Sequence, residues 1–166
     1  MPRLPLPLLA CLLAIWLVPL PSRAHQALES SAQIASTPEN LELTLTLAQP
    51  YAAALLVPPP TLPLTTENFD QLRPALLAIA PLLAAATDRS GKKLEPARVL
   101  VSLTTEGEIR YLFLYPSGLQ PADFSMPALA RLPRGFFCIL SDQRTTPPGR
   151  VILFKERPLH AFPALP

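Results

Sequence analysis

Apolar and polar residues alternate without a break from Asn40 to Leu47, in the run Asn40-Leu41-Glu42-Leu43-Thr44-Leu45-Thr46-Leu47. Successive side chains of a strand point to opposite faces, so this run places Leu41, Leu43, Leu45 and Leu47 on one face of a sheet. Ahead of it, Leu28, Ala32 and Ile34 share one parity, and Ser36-Thr37-Pro38-Glu39-Asn40 has the composition of a turn. Together these segments predict an opening hairpin. The alternation returns in Val99, Val101 and Leu103, and again in Tyr111, Phe113 and Tyr115, on either side of Thr105-Glu106-Gly107-Glu108. Antiparallel pairing across that turn is the expectation. An aromatic stripe of this period reads as a core face before it reads as a ligand groove. Strand-like segments are also read at 82–87, 98–104, 109–115, 123–129, 136–141 and 150–155. Asp88-Arg89-Ser90-Gly91, Pro116-Ser117-Gly118 and Thr146-Pro147-Pro148-Gly149 supply chain reversals between them.

One segment switches period. Phe69, Leu72, Leu76 and Ile79 recur at spacings of three and four, the stripe of an amphipathic helix, with Thr65 and Thr66 as hydroxyl caps. Pro74 predicts a short turn through Leu72 followed by a helix from Pro74 to Ala80, which Pro81 ends. The stretch from Tyr51 to Leu64 contains Pro58-Pro59-Pro60 and Pro63 and is expected to be an extended crossover loop. The predicted fold is mainly β: a single antiparallel, immunoglobulin-like β-sandwich of about seven or eight short strands with one short helical insertion. It is expected over residues 25–157, with a frayed proline-rich tail at 158–166.

The first residues have a different character. Arg3, an apolar run from Leu4 to Leu20 and the small-x-small triplet Ser22-Arg23-Ala24 form the pattern of a secretory signal peptide over residues 1–24. Cleavage after Ala24 makes His25 the new amino terminus, and the expected location is outside the cytoplasm, in a bacterial periplasm. Removing Arg3 and Arg23 from the 14 basic residues leaves a mature chain balanced against the 12 acidic ones. No basic run interleaved with aromatics remains, so a nucleic-acid partner is not expected. Arg131 and Arg134 bracket Leu132-Pro133 and read as ordinary surface charge. Of the two cysteines, Cys11 leaves with the leader and Cys138 stands in the apolar run Phe136-Phe137-Cys138-Ile139-Leu140, where it reads as a small buried hydrophobe. No segment of the mature chain reaches the ~18–20 apolar residues of a membrane span.

Candidate chemistry is sparse. His25 and His160 are the two histidines. A terminal histidine offers an amine and an imidazole, and a second imidazole completes a site suited to copper or nickel. Glu29, Asp123 or Asp142 are the carboxylates available as an oxygen ligand, and spacing does not select among them. Gly-x-Ser-x-Gly, His-Glu-x-x-His, Cys-x-x-Cys and P-loop motifs are missing from the sequence. A hydrolytic triad is assembled on paper from His160, Asp142 and a serine, as in any chain that has a histidine. No catalytic residue is assigned.

The order of segments resembles a known group. Ala24-His25, the Leu41-to-Leu47 strand, Asn68-Phe69 through Leu72-Arg73-Pro74, Gly91 to Leu94, and Gly107 to Tyr115-Pro116 follow each other as in the periplasmic domain of HupE/UreJ-type hydrogenase and urease accessory proteins. The resemblance implies an exported domain that binds a metal, a partner protein or a membrane component. That family's membrane helices are not found before Pro166, so transport does not carry over. A fainter similarity, to CopC-type copper carriers, rests on His25 at the start of an exported β-domain. The expected function is a non-enzymatic binding or accessory domain of the bacterial envelope, with an envelope or inner-membrane protein as partner. The alternatives are a copper or nickel protein using His25 and His160, and an envelope hydrolase.

Overall fold

The computed structural model describes residues 28–164. The signal-peptide pattern, Cys11 and His25 lie outside the described residues. Between Leu28 and Ala164 the chain is mainly β, with few helices. It forms strands β1 (Glu29–Ser36), β2 (Asn40–Ala48), β3 (Ala85–Thr87), β4 (Lys93–Leu94), β5 (Arg98–Leu103), β6 (Glu108–Pro116), β7 (Asp123–Ser125), β8 (Phe137–Asp142), β9 (Gly149–Phe154) and β10 (Leu159–Ala161). Helices α1 (Gln49–Ala54), α2 (Phe69–Ala78) and α3 (Ala80–Leu83) follow β2, and a 3-10 turn spans Pro127–Ala130.

The strands form two sheets, one of six strands in the order β5-β6-β2-β1-β8-β9 and one of four in the order β10-β7-β3-β4. The predicted hairpins are present: Ile34 lies opposite Leu43 across β1 and β2, and Val101 lies opposite Tyr111 across β5 and β6. Not every pair is antiparallel, because β8 runs parallel to β1, with Ala32 beside Leu140. The ten strands exceed the expected seven or eight because β4 and β10 are only two and three residues long.

The alternation decides which face is covered. Leu41, Leu43, Leu45 and Leu47 are all buried, as are Ile109, Tyr111, Phe113 and Tyr115 beside them on β6. A one-residue slip of β2 would send its four leucines to solvent, so this burial also fixes the register. The cover consists of α1 on β2 and β6, α2 on β5, and the smaller sheet, whose Phe124 and Ala86 are buried in the same core. The Tyr111 hydroxyl reaches across to donate to the Leu76 carbonyl of α2 at 3.2 Å. Burial raises the pKa of that phenol, which keeps it a donor.

The proline-rich regions depart from expectation. The start of the expected crossover loop is helical, with Pro50 in the first turn of α1, where a missing N–H costs nothing. Pro74 lies inside α2 without dividing it. The hydrogen bond it removes belongs to the exposed Asp70, whose carbonyl water can solvate. Pro81 opens α3 instead of ending a helix, which takes Leu82 and Leu83 out of the expected strand. The described part of the expected tail, residues 158–164, is not frayed: β10 pairs with β7, and Phe162 is buried.

The β5–β6 turn requires its glycine. Gly107 has φ +78°, and a Cβ there would stand 3.3 Å from the Gln49 side chain. Gly107→Ala should therefore cost about 1–2 kcal/mol, read as a lower urea midpoint with an unchanged m-value.

Candidate functional site

The site grows from the way β8 ends. Its inward-facing residues are Cys138, Leu140 and Asp142, and the alternation that buries the first two also carries the Asp142 carboxylate beneath the surface, where it is 5% exposed. A buried carboxylate needs a partner, and the turn that follows supplies one. Arg144 donates from Nε to Asp142 Oδ1 and from Nη2 to Oδ2, both at 2.8 Å, and its amide donates to Oδ1 at 3.0 Å. The guanidinium lies over the Phe162 ring, 4.4 Å from its centroid. Thr145 closes the same turn by donating to the Pro147 carbonyl at 3.0 Å and accepting from the Gly149 amide at 3.1 Å.

Beside this pair is a cleft of about 210 Å³. One wall is the end of the large sheet, with Leu140, Asp142 and Val151. The other is the end of the small sheet, with His160, Phe162 and Pro163, and Arg150 and Thr145 stand at its rim. His160 reaches the cleft because β10 pairs it with the buried Phe124, and paired residues share a face. Its ring meets Phe162 edge-on, with centroids 5.2 Å apart.

The ionisable groups are set by their neighbours. Burial works against the charged form of Asp142, but the hydrogen bonds and charge of Arg144 prevail and hold its pKa below the usual carboxylate value. Burial and the nearby Arg157 lower the pKa of His160, with Asp142 opposing them, so the imidazole is neutral at pH 7. For a carboxylate with a depressed folded pKa, the stabilisation is complete above its unfolded pKa of about 3.9 and is lost as pH falls through the folded value. Stability should thus decline below about pH 4, and Asp142→Asn should flatten that part of the curve in urea titrations across acid pH.

The residues singled out in the sequence separate in the structure. His160 and Asp142 line one cleft, whereas Asp123 accepts from the Thr87 hydroxyl at 2.7 Å and Glu29 lies on the exposed face of β1. Among the described residues, no three histidine, cysteine or acidic side chains converge as metal ligands. Ser141 faces away from the cleft, where it accepts from Gln143 at 2.8 Å. Cys138 is buried, and burial pushes its thiol up to about 11, which keeps it protonated. Arg144, Arg150 and Phe162 carry the site's geometry and were not singled out in the sequence. The local signal for Arg144 is its position two residues after an acidic residue at a strand end. Among the described residues, no helix is long and apolar enough to cross a membrane.

No protein-family model matches this chain, and no curated protein matches it significantly.

Proposed function

We propose that this protein is an exported, non-enzymatic binding domain of the bacterial envelope whose binding site is the cleft between the ends of the two sheets. The scaffold is read as a sandwich-like pair of layers, with the smaller sheet and the helices covering the larger sheet. The observation that carries the proposal is the Asp142–Arg144 pair. Arg144 engages both oxygens of the carboxylate and no hydrogen bond joins Asp142 to His160, so the pair is not set up as an oriented base, and the one cleft hydroxyl, on Thr145, is engaged in its own turn. What remains facing the cleft is a set of apolar side chains with a neutral imidazole, and Arg150 stands at its rim, which is recognition chemistry.

The second reading is a copper or nickel site through His25 and His160. The neutral state of His160 favours it, since an unprotonated imidazole is the ligating form. The described residues supply that one imidazole and place Arg157 near it, so the amino-terminal amine and ring of His25 would have to provide the other donors. Mass spectrometry of the exported chain tests the processing on which both readings rest, with His25 expected as residue one. Cu(II) titration then separates the two. Binding that is unchanged by His160→Ala or by one extra residue ahead of His25 leaves no paired site. Ester or peptide hydrolysis that disappears in His160→Ala would replace the binding reading with the hydrolase.

A further inference from the structure

We propose that the outer edge of β9 receives an extended acidic peptide segment of a partner protein as an added strand, with one apolar side chain entering the cleft. This rests on the reading of the cleft as a binding site and specifies its ligand. The backbone provides the first argument. In the large sheet β9 is the last strand, bonded to β8 on one side. Phe154 exchanges N–H and C=O bonds with Arg157, at 3.2 and 2.9 Å, on the side away from β8. By strand alternation Arg150 and Ile152 also turn their amides and carbonyls outward; β10 comes close to β9 after the Arg157 reversal but pairs with β7, so these groups have no ladder partner among the described strands. Such an edge is a template for another strand.

The surroundings of the edge supply the second argument. A strand laid against β9 would have its inward side chain beside Val151, at the mouth of the 210 Å³ cleft. Toward the other end the added strand stops at Ile152, because Arg157 already takes the outward groups of Phe154. An outward side chain would lie next to Ile152, which is 53% exposed. The edge thus presents a short free ladder at Arg150 and Ile152, with Val151 on one face and Ile152 on the other.

Charge selects the occupant. Residues 131–166 hold six basic residues, Arg131, Arg134, Arg144, Arg150, Lys155 and Arg157, against Asp142 and Glu156. Arg144 and Asp142 neutralise each other, and among the described residues no carboxylate pairs with Arg150, Lys155 or Arg157. A second copy meeting β9 edge to edge would bring these cations together, so self-pairing is disfavoured and an acidic segment fits.

Fluorescence anisotropy of the processed protein with a short labelled peptide alternating glutamate with valine or leucine tests the proposal. The peptide should bind, more weakly at higher salt, and its lysine-for-glutamate counterpart should bind about tenfold or more weakly. Arg150→Glu should weaken binding by a similar factor. Methylating the peptide nitrogens that face β9 should abolish binding with the protein unaltered, and Ile152→Pro, whose lost amide points away from β8, should do the same from the other side. Equal binding of both charges, or indifference to N-methylation, overturns the edge-strand proposal. If no peptide binds while small organic probes still perturb His160 and Phe162, the proposal falls and the cleft reading stands. If nothing perturbs them, both fall. A dimer in sedimentation that Ile152→Pro dissociates, with no peptide binding, would assign the edge to a second copy and also overturn the proposal.

Discussion

Arg144→Ala should lower the unfolding free energy by about 3 kcal/mol, measured by urea denaturation at neutral pH. The substitution leaves Asp142 buried and stripped of two charge-assisted hydrogen bonds at 2.8 Å. It also uncovers the Phe162 ring on which the guanidinium rests. Removing both charges, in Arg144→Met with Asp142→Asn, should cost less than Arg144→Ala alone, because no unpaired charge is left behind. The deficit of the single variant should shrink as the medium is acidified and the orphaned carboxylate takes up a proton. A loss below about 0.5 kcal/mol would mean that the pair behaves as an exposed one.

Phe124→Ala should be at least as damaging, at about 3–5 kcal/mol. Its side chain is 1% exposed, and it stands at the centre of the small sheet, opposite Ala86 on β3 and His160 on β10. Truncation removes the apolar group that seats this sheet on the core and leaves a cavity that its three-residue neighbours, β3 and β10, are too short to close. The His160 wall of the cleft should loosen with it, visible as faster amide exchange at Leu159 to Ala161. Phe154→Ala, on the exposed face of β9, is the control and should cost far less.

The difference between these two phenylalanines was partly legible in the sequence. Where alternation runs for six residues or more, as in β2, β5 and β6, the buried parity was readable and the register followed from it. Two- and three-residue strands carry no period, so β4 and β10 left no such trace, and β10 sat among prolines that suggested fraying. The β1–β8 pairing joins residues more than a hundred positions apart and has no local signature. In α1 the Gln49-Pro50 start and the alanines after it were a readable helix signal, masked by the prolines that follow.

The site was legible in pieces. His160 and Asp142 were singled out as metal or triad candidates, and the structure does bring them to one cleft. Their relation is set by Arg144, which claims the carboxylate, and nothing in the spacing of His160 and Asp142 shows that. The open edge of β9 was beyond the sequence for a related reason. A strand's position at the end of a sheet depends on all the other pairings. The charge division between the last 36 residues and the rest stands in the sequence, but it has meaning only once β9 is known to be an edge.

Amide NMR of the processed domain, titrated with short peptides and small organic carboxylates, tests the binding reading most directly. The account predicts shifts concentrated at Arg150, Val151, His160 and Phe162, with the Glu106–Gly107 turn unmoved, and likewise a second, smaller hollow between α3 and the start of β5, lined by Ala80, Leu94 and Val99. Shifts confined to that hollow, or none at the cleft with any probe, would contradict it.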